Sequence, residues 1–476
     1  MSMQVQPKPS PRSPIHLGSV TWGQAIWGLG IWLALWAVGS LFVANPFFNE
    51  QSASANPDYA NLMYVHVLLV GITALAVLVT CEVFKLHANK IKAFVLVATL
   101  LSTLLVSFGA IFDATLQVHW FWLIVHVIGF FLLDAVFIAM LAGFFLELKN
   151  HPSETTRSLP FWLAIVAGFS LEFAALMGHL AGWILSFGNH PALIGAWANL
   201  VGEKVSDFDA NLIVSHSHEI VVAMLALIIA VVAHRFGYQS LKAGAKGLAQ
   251  VGGWLVMAGT VLMTVIYVVG GITTEEPPNL FTFGPGGANG LAGDDLVTGI
   301  GVMIGGLLIL GGLIFNKSKH EETLDSRGAR YTLAAIAWSW LLLVLTVVVA
   351  GYYIELHEVY FGAGDPTAAG AAADAVFTFA HQDFAFYMLP GLMVVLLLAN
   401  LLLHNQQRTI AWGAIGGSFI TFVGVLLYVF ATPKPLFSVG YFISALGIAV
   451  MFVTLLVFLQ GLWKFTAHEE KLVSHV

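Results

Sequence analysis

The chain has 476 residues, of which 58% are hydrophobic and 9% charged, and its mean hydropathy is +0.86. That composition excludes a soluble globule. The net charge of −7, from 26 acidic against 19 basic residues, reflects acidic loops and does not bear on nucleic acid, which is not an expected partner.

Residues 1–21 open with a polar stretch rich in Pro and Ser and read as a cytoplasmic tail. A hydrocarbon core roughly 30 Å thick needs about 20 apolar residues per helix. About twelve such runs follow, near 22–44, 62–84, 91–111, 119–147, 159–187, 212–236, 248–272, 296–315, 331–354, 376–403, 410–431 and 438–465. None alternates with the period of a barrel strand, so the expectation is an all-α polytopic membrane protein. The membrane domain then covers 22–465, and 466–476 form a C-terminal tail. The first run starts too late and is too long for a cleaved signal peptide. The glycine-rich run 299–306 predicts close helix packing.

Basic residues set the orientation. Lys85, Lys90 and Lys92 follow the second run, Lys149 and Arg157 the fourth, Arg235, Lys242 and Lys246 the sixth, Lys317, Lys319, Arg327 and Arg330 the eighth, and Arg408 the tenth. The intervening loops carry Asp207, Asp209, Glu275, Glu276, Asp294, Asp295, Glu355 and Glu358 instead. By the positive-inside rule both termini are cytoplasmic and the even-numbered helices run inward.

On that topology a layer of histidines lies at one depth near the outer face. His66, His119, His126, His216, His218 and His381 begin inward-running helices, while His179 and His357 end outward-running ones. Ionisable groups at membrane depth are costly and point to function. At about 100° per residue, His216 shares a face with Glu219 and His218 points nearly opposite, so one site takes one of the two histidines. His381 and Asp383 likewise alternate, a pair able to address two neighbouring cofactors. Asp134 and Glu172 lie deeper, where carboxyls serve as proton carriers; Glu82 and Asn400 extend a polar route toward the inner side.

This pattern resembles subunit I of the haem–copper oxidases and nitric oxide reductases. The resemblance rests on the twelve helices, on Tyr64-Val65-His66, on Ser215-His216-Ser217-His218-Glu219, and on Phe379-Ala380-His381 with the preceding Leu356-His357-Glu358-Val359-Tyr360. It implies His66 as a low-spin haem ligand, His381 as a high-spin haem ligand, and His216 or His218 as a copper or non-haem iron ligand. Two departures stand out: Gly270 and Gly271 occupy the place of the family's paired helix-seven histidines, and Asp383 replaces the second histidine of helix ten. Stoichiometric copper is therefore not expected. Imidazole with carboxylate suits iron, and His216 or His218 with Glu219 and His179 is the expected non-haem metal site.

The resemblance further implies a redox enzyme of the prokaryotic cytoplasmic membrane that reduces a small diatomic gas, NO or O2. Electrons would come from quinol or from a second subunit, a cytochrome c or cupredoxin. Cys81 is the sole cysteine and no CxxCH occurs, so covalent c-type haem in this chain is not expected; a b-type haem is the expectation that the resemblance carries. Glu219, Glu172 and Asp134 are the expected catalytic acids. The competing expectation is non-enzymatic: a haem- or metal-carrying membrane protein, or a transporter with a path lined by histidines and acids.

Overall fold

A computed structural model describes residues 26–32, 57–86, 89–116, 119–187, 205–273, 300–316, 326–361, 384–403, 405–430 and 434–473. Among these there is no strand. Helical segments stand at the position of every apolar run: α1 (26–32), α2 (Pro57–Val83), α3 (Asn89–Leu116), α4 (His119–Asn150), α5 (Leu159–Phe187), α6 (Val205–Arg235), α7 (Ala243–Thr273), α8 (Gly305–Phe315), α9 (Ser326–Phe361), α10 (Leu389–Leu402), α11 (Gln407–Phe430) and α12 (Lys434–Val473). Ten are long and apolar enough to cross a membrane; α8 is shorter, and α1 is described over 26–32 alone. The chain is an integral membrane protein with many spans.

Three helices form the centre. In α2 and α6, 83% of the membrane-spanning window is buried, and in α10, 67%; the other spans lie between 39% and 56%. α6 packs against α2, α5, α7, α8 and α10. Its sequence explains why it can: Ala223, Ala226, Ala230 and Ala233 are all buried, and small side chains let helices approach where lipid supplies no hydrophobic drive. α6 stops where Gly237 adopts φ 85°, the left-handed geometry that ends a helix without a Cβ clash. The peripheral helices turn large apolar residues outward, including Phe131 and Ile138 on α4, Trp254 on α7 and Phe442 on α12, as a lipid-facing surface should.

The glycine-rich run does pack closely. A π-helical turn at Ile300–Ile304 leads into α8, and the seam against α7 is built from facing glycines. A Cβ on Gly301 would lie 3.1 Å from the Gly259 Cα, and one on Gly305 would lie 2.7 Å from the Gly252 carbonyl oxygen. The Met303 carbonyl in the π turn accepts a hydrogen bond from Trp340 Nε1 at 2.9 Å, so the irregular backbone is satisfied by α9.

Candidate functional site

Three imidazoles from three helices converge near the N-terminal ends of the central bundle. His66 on α2 lies 5.7 Å, centroid to centroid, from His126 on α4 and 6.2 Å from His216 on α6. His126 is 4% exposed. From His216 to Arg235 at the far end of α6 is about 28 Å at 1.5 Å per residue, so the trio and the basic end mark opposite edges of a hydrocarbon core.

Backbone carbonyls orient two of the rings. His126 Nδ1 donates to the Val106 oxygen at 2.9 Å, and His216 Nδ1 to the Ala174 oxygen at 2.7 Å. A carbonyl only accepts, so in the neutral ring the lone pair sits on Nε2, the arrangement that metal-ligating histidines use. His66 differs: its Nδ1 is buried with no hydrogen-bond partner. Space for the His216 ring exists because residue 178 is glycine; a Cβ there would lie 2.5 Å from His216 Cε1.

Phe130 links this trio to a second group. Its ring stands edge-on to His66, His126 and His179, with centroids 5.1, 4.7 and 5.9 Å away. His179 on α5 bonds through Nε2 to Asp134 Oδ2 on α4 at 2.5 Å, and Phe131 stacks over it from the exposed side at 4.7 Å. Glu172, two turns back on the same face of α5, lies within electrostatic reach of both Asp134 and His179. Asp134 Oδ1 and Glu172 Oε2 are buried and unpartnered.

A third group faces the other side of α5. Glu219 on α6 is 0% exposed; its Oε1 accepts from Ser170 Oγ at 3.4 Å, and Ser170 meets Thr264 of α7 at 2.7 Å. Glu219 Oε2 has no partner. Buried polar atoms are nearly always hydrogen-bonded, so four orphaned atoms around one set of helices mark a place that takes protons, water or a ligand.

The expected residues thus divide. His216, not His218, is the helix-six histidine that enters the trio. His179 is taken by Asp134 and Glu219 by Ser170, so the expected gathering of His216, Glu219 and His179 about one ion is not formed by these side chains. Among the described residues no group of three His, Cys, Asp or Glu side chains stands close enough to hold one metal ion. His381 and Asp383 lie outside the described residues, as do the side chains of His119 and His357. The route expected through Glu82 and Asn400 is occupied by other contacts: Glu82 pairs with Lys92 at 3.8 Å, and Asn400 Oδ1 accepts from Arg235 Nε at 2.8 Å.

No family model matches the sequence, and no curated protein matches it.

Ser170 and Thr264 had no place in the sequence reading, since hydroxyls are common in membrane helices. Phe130 was legible in principle, because it follows His126 by four residues and shares its face.

Proposed function

We propose that the chain is a haem-binding catalytic subunit of a membrane redox enzyme that reduces a small diatomic gas, NO or O2, with electrons from a cytochrome, cupredoxin or quinol partner. On this reading twelve helices span a prokaryotic cytoplasmic membrane with both termini inside. The observation that carries it is the convergence of His66, His126 and His216 inside the bundle, on helices that include the two most buried.

The residues fit a haem. His66 offers a buried ring nitrogen without a partner, and neutral imidazole is a common axial ligand of haem iron. His66 would hold one haem, and His381, leading into α10, would hold another. Bound there, haem would supply electron transfer and gas binding. The chain's own groups would do the remainder. His126 and His216 present Nε2 lone pairs in a fixed orientation, serving as ligands for a non-haem iron or as hydrogen-bond acceptors. Asp134 Oδ2 and His179 Nε2 meet in a direct hydrogen bond, and Glu172 and Glu219 can each hold a proton at the unpartnered oxygen. Phe130, edge-on, and Phe131, stacked, flank the His179 ring and shield its contact with Asp134.

The test is spectroscopic. Protein purified from haem-replete cells should give a b-type pyridine haemochrome and a dithionite-reduced difference spectrum, with no stoichiometric copper by elemental analysis. A colourless protein would move the reading to a transporter whose histidines and acids line a path. Topology reporters after Lys92, Lys149, Lys242, Lys319 and Arg408 should all report the cytoplasm; two contradictions would overturn the twelve-span arrangement.

A further inference from the structure

At the end of the bundle opposite the imidazoles, a groove of about 830 Å³ opens between the first turns of α5 and α7. Its floor is the short turn Tyr238–Ser240 that follows α6. Both bordering helices start here, so two positive dipole ends face the same space, although the N–H groups of Ser158, Phe161, Trp162 and Lys246 already donate to local carbonyls. Arg157, just before α5, and Lys246, in the first turn of α7, bring two cations to the wall, against one carboxylate, the exposed Glu154. Tyr238 is only 5% exposed, yet its hydroxyl is buried without a hydrogen-bond partner. Gln250 lies beside the phenol but does not close a bond to it. The phenol thus sits at the floor of the cleft with Gln250 as a polar neighbour and no acceptor within hydrogen-bond distance.

Farther from the mouth the groove turns apolar. Trp162 and Val166 are one turn apart on α5, and Trp254 and Met257 follow Gln250 along one face of α7. From Lys246 to Met257 is about 16 Å of helix, close to half of a hydrocarbon core roughly 30 Å thick. Trp162 is 40% and Trp254 62% exposed, so the two indoles flank an opening toward lipid at the level where interfacial tryptophans sit. Cations and a hydroxyl at one end, with apolar walls one leaflet deep, match the two parts of a phospholipid.

We propose that this groove binds an anionic phospholipid, with its phosphate on Arg157, Lys246 and the Tyr238 hydroxyl and its acyl chains along Trp162 and Trp254. The site is independent of the haem reading. A free inorganic phosphate shares the headgroup chemistry but has nothing to occupy the apolar half.

The test uses full-length protein in a mild uncharged detergent after delipidation, with phosphatidylglycerol, phosphatidylcholine and inorganic phosphate as probes. Phosphatidylglycerol should raise the unfolding temperature more than phosphatidylcholine, and phosphate should leave it unchanged. The paired substitutions Arg157→Gln and Lys246→Gln should together weaken phosphatidylglycerol binding roughly thirtyfold, from about 1 kcal/mol for each of the two basic residues near the headgroup. Tyr238→Phe should weaken it by a smaller factor. A second readout needs no charge variant: phosphatidylglycerol with brominated acyl chains should quench tryptophan fluorescence more than its phosphatidylcholine counterpart, and the excess should vanish in Trp162→Phe/Trp254→Phe. Equal responses to the two lipids, a stabilisation reproduced by phosphate alone, or an excess quenching that survives the tryptophan substitutions would each overturn the proposal.

Discussion

The two ends of the central helices handle polar groups in opposite ways. At the basic end, Arg235 donates to the Asn400 side chain at 2.8 Å and to its carbonyl at 3.4 Å, and Gln407 adds a third bond to the same carbonyl. His234 there stacks flat on Phe84 with centroids 4.5 Å apart. At the imidazole end, His66, Asp134, Glu172 and Glu219 each keep a buried atom without a partner. A satisfied network fixes one packing arrangement, whereas a partly satisfied one raises the energy of the resting state and persists where something else is to be bound or moved. The Arg235–Asn400–Gln407 network at the basic end is built as a clamp, apart from the unpartnered Tyr238 hydroxyl of the neighbouring groove, and the imidazole end as a site, so substitutions in the clamp and at the imidazoles should separate stability from chemistry.

The largest contrast should come from His66→Ala, which is expected to abolish the absorbance of a low-spin haem while the protein still inserts and purifies. A spectrum identical to the parent would remove His66 from the ligand set and erase the distinction between the ends. Next in size, Asp134→Asn keeps the shape but removes the acceptor charge facing His179. On the proposed redox reading, gas-reduction turnover should drop about 10²- to 10⁴-fold, the usual scale for a lost proton-transfer group, with the haem spectrum little changed. Unaltered turnover would make the Asp134–His179 pair a packing contact like those at the basic end.

Asn400→Leu tests the other end. Losing the one side-chain bond from the half-buried guanidinium should lower stability by about 1.5–3 kcal/mol, seen as a lower unfolding temperature in detergent, while absorbance per folded protein stays constant. A spectral change of the same size as that of His66→Ala would show that the ends are coupled. The smallest effect belongs to Ser170→Ala, which removes one hydroxyl from Glu219 and should cost about 1 kcal/mol. Its informative readout is the infrared carboxyl band of Glu219, which should shift; a static band would place the carboxyl outside that contact.

Much of this architecture was legible in the residues. The apolar runs announce the helices because about 20 apolar residues in succession have few alternatives to a span. The common depth of His66, His126 and His216 follows from counting turns inward from each helix end; the angle between His216 and His218 says that one site takes one of them, and the packing of α6 against α5 and α2 decides that it is His216. The Asp134–His179 pair was not legible. The two residues are 45 apart in sequence, and their meeting depends on how α4 and α5 rotate against each other, which no single-helix periodicity encodes. The sequence therefore placed His179 with the metal ligands, while the packing turns it toward the carboxylate. The π-helical start of α10 at 384–388 was also hidden, since five apolar and aromatic residues there read as ordinary helix.

The enclosure of α6 bears on how the chain is made. Synthesis delivers helices in order, so α6 enters the bilayer before α7, α8 and α10 exist to surround it. For that interval Glu219, later sealed from solvent, would face hydrocarbon on the sides those helices will cover. Ser170 on α5 is already in place and gives the carboxyl its first companion, and Thr264 completes the group when α7 arrives. The hydroxyl that looks minor in the finished molecule is thus the one available when the acid is most exposed, and loss of Ser170 should lower the yield of inserted protein more than the stability of what has already assembled.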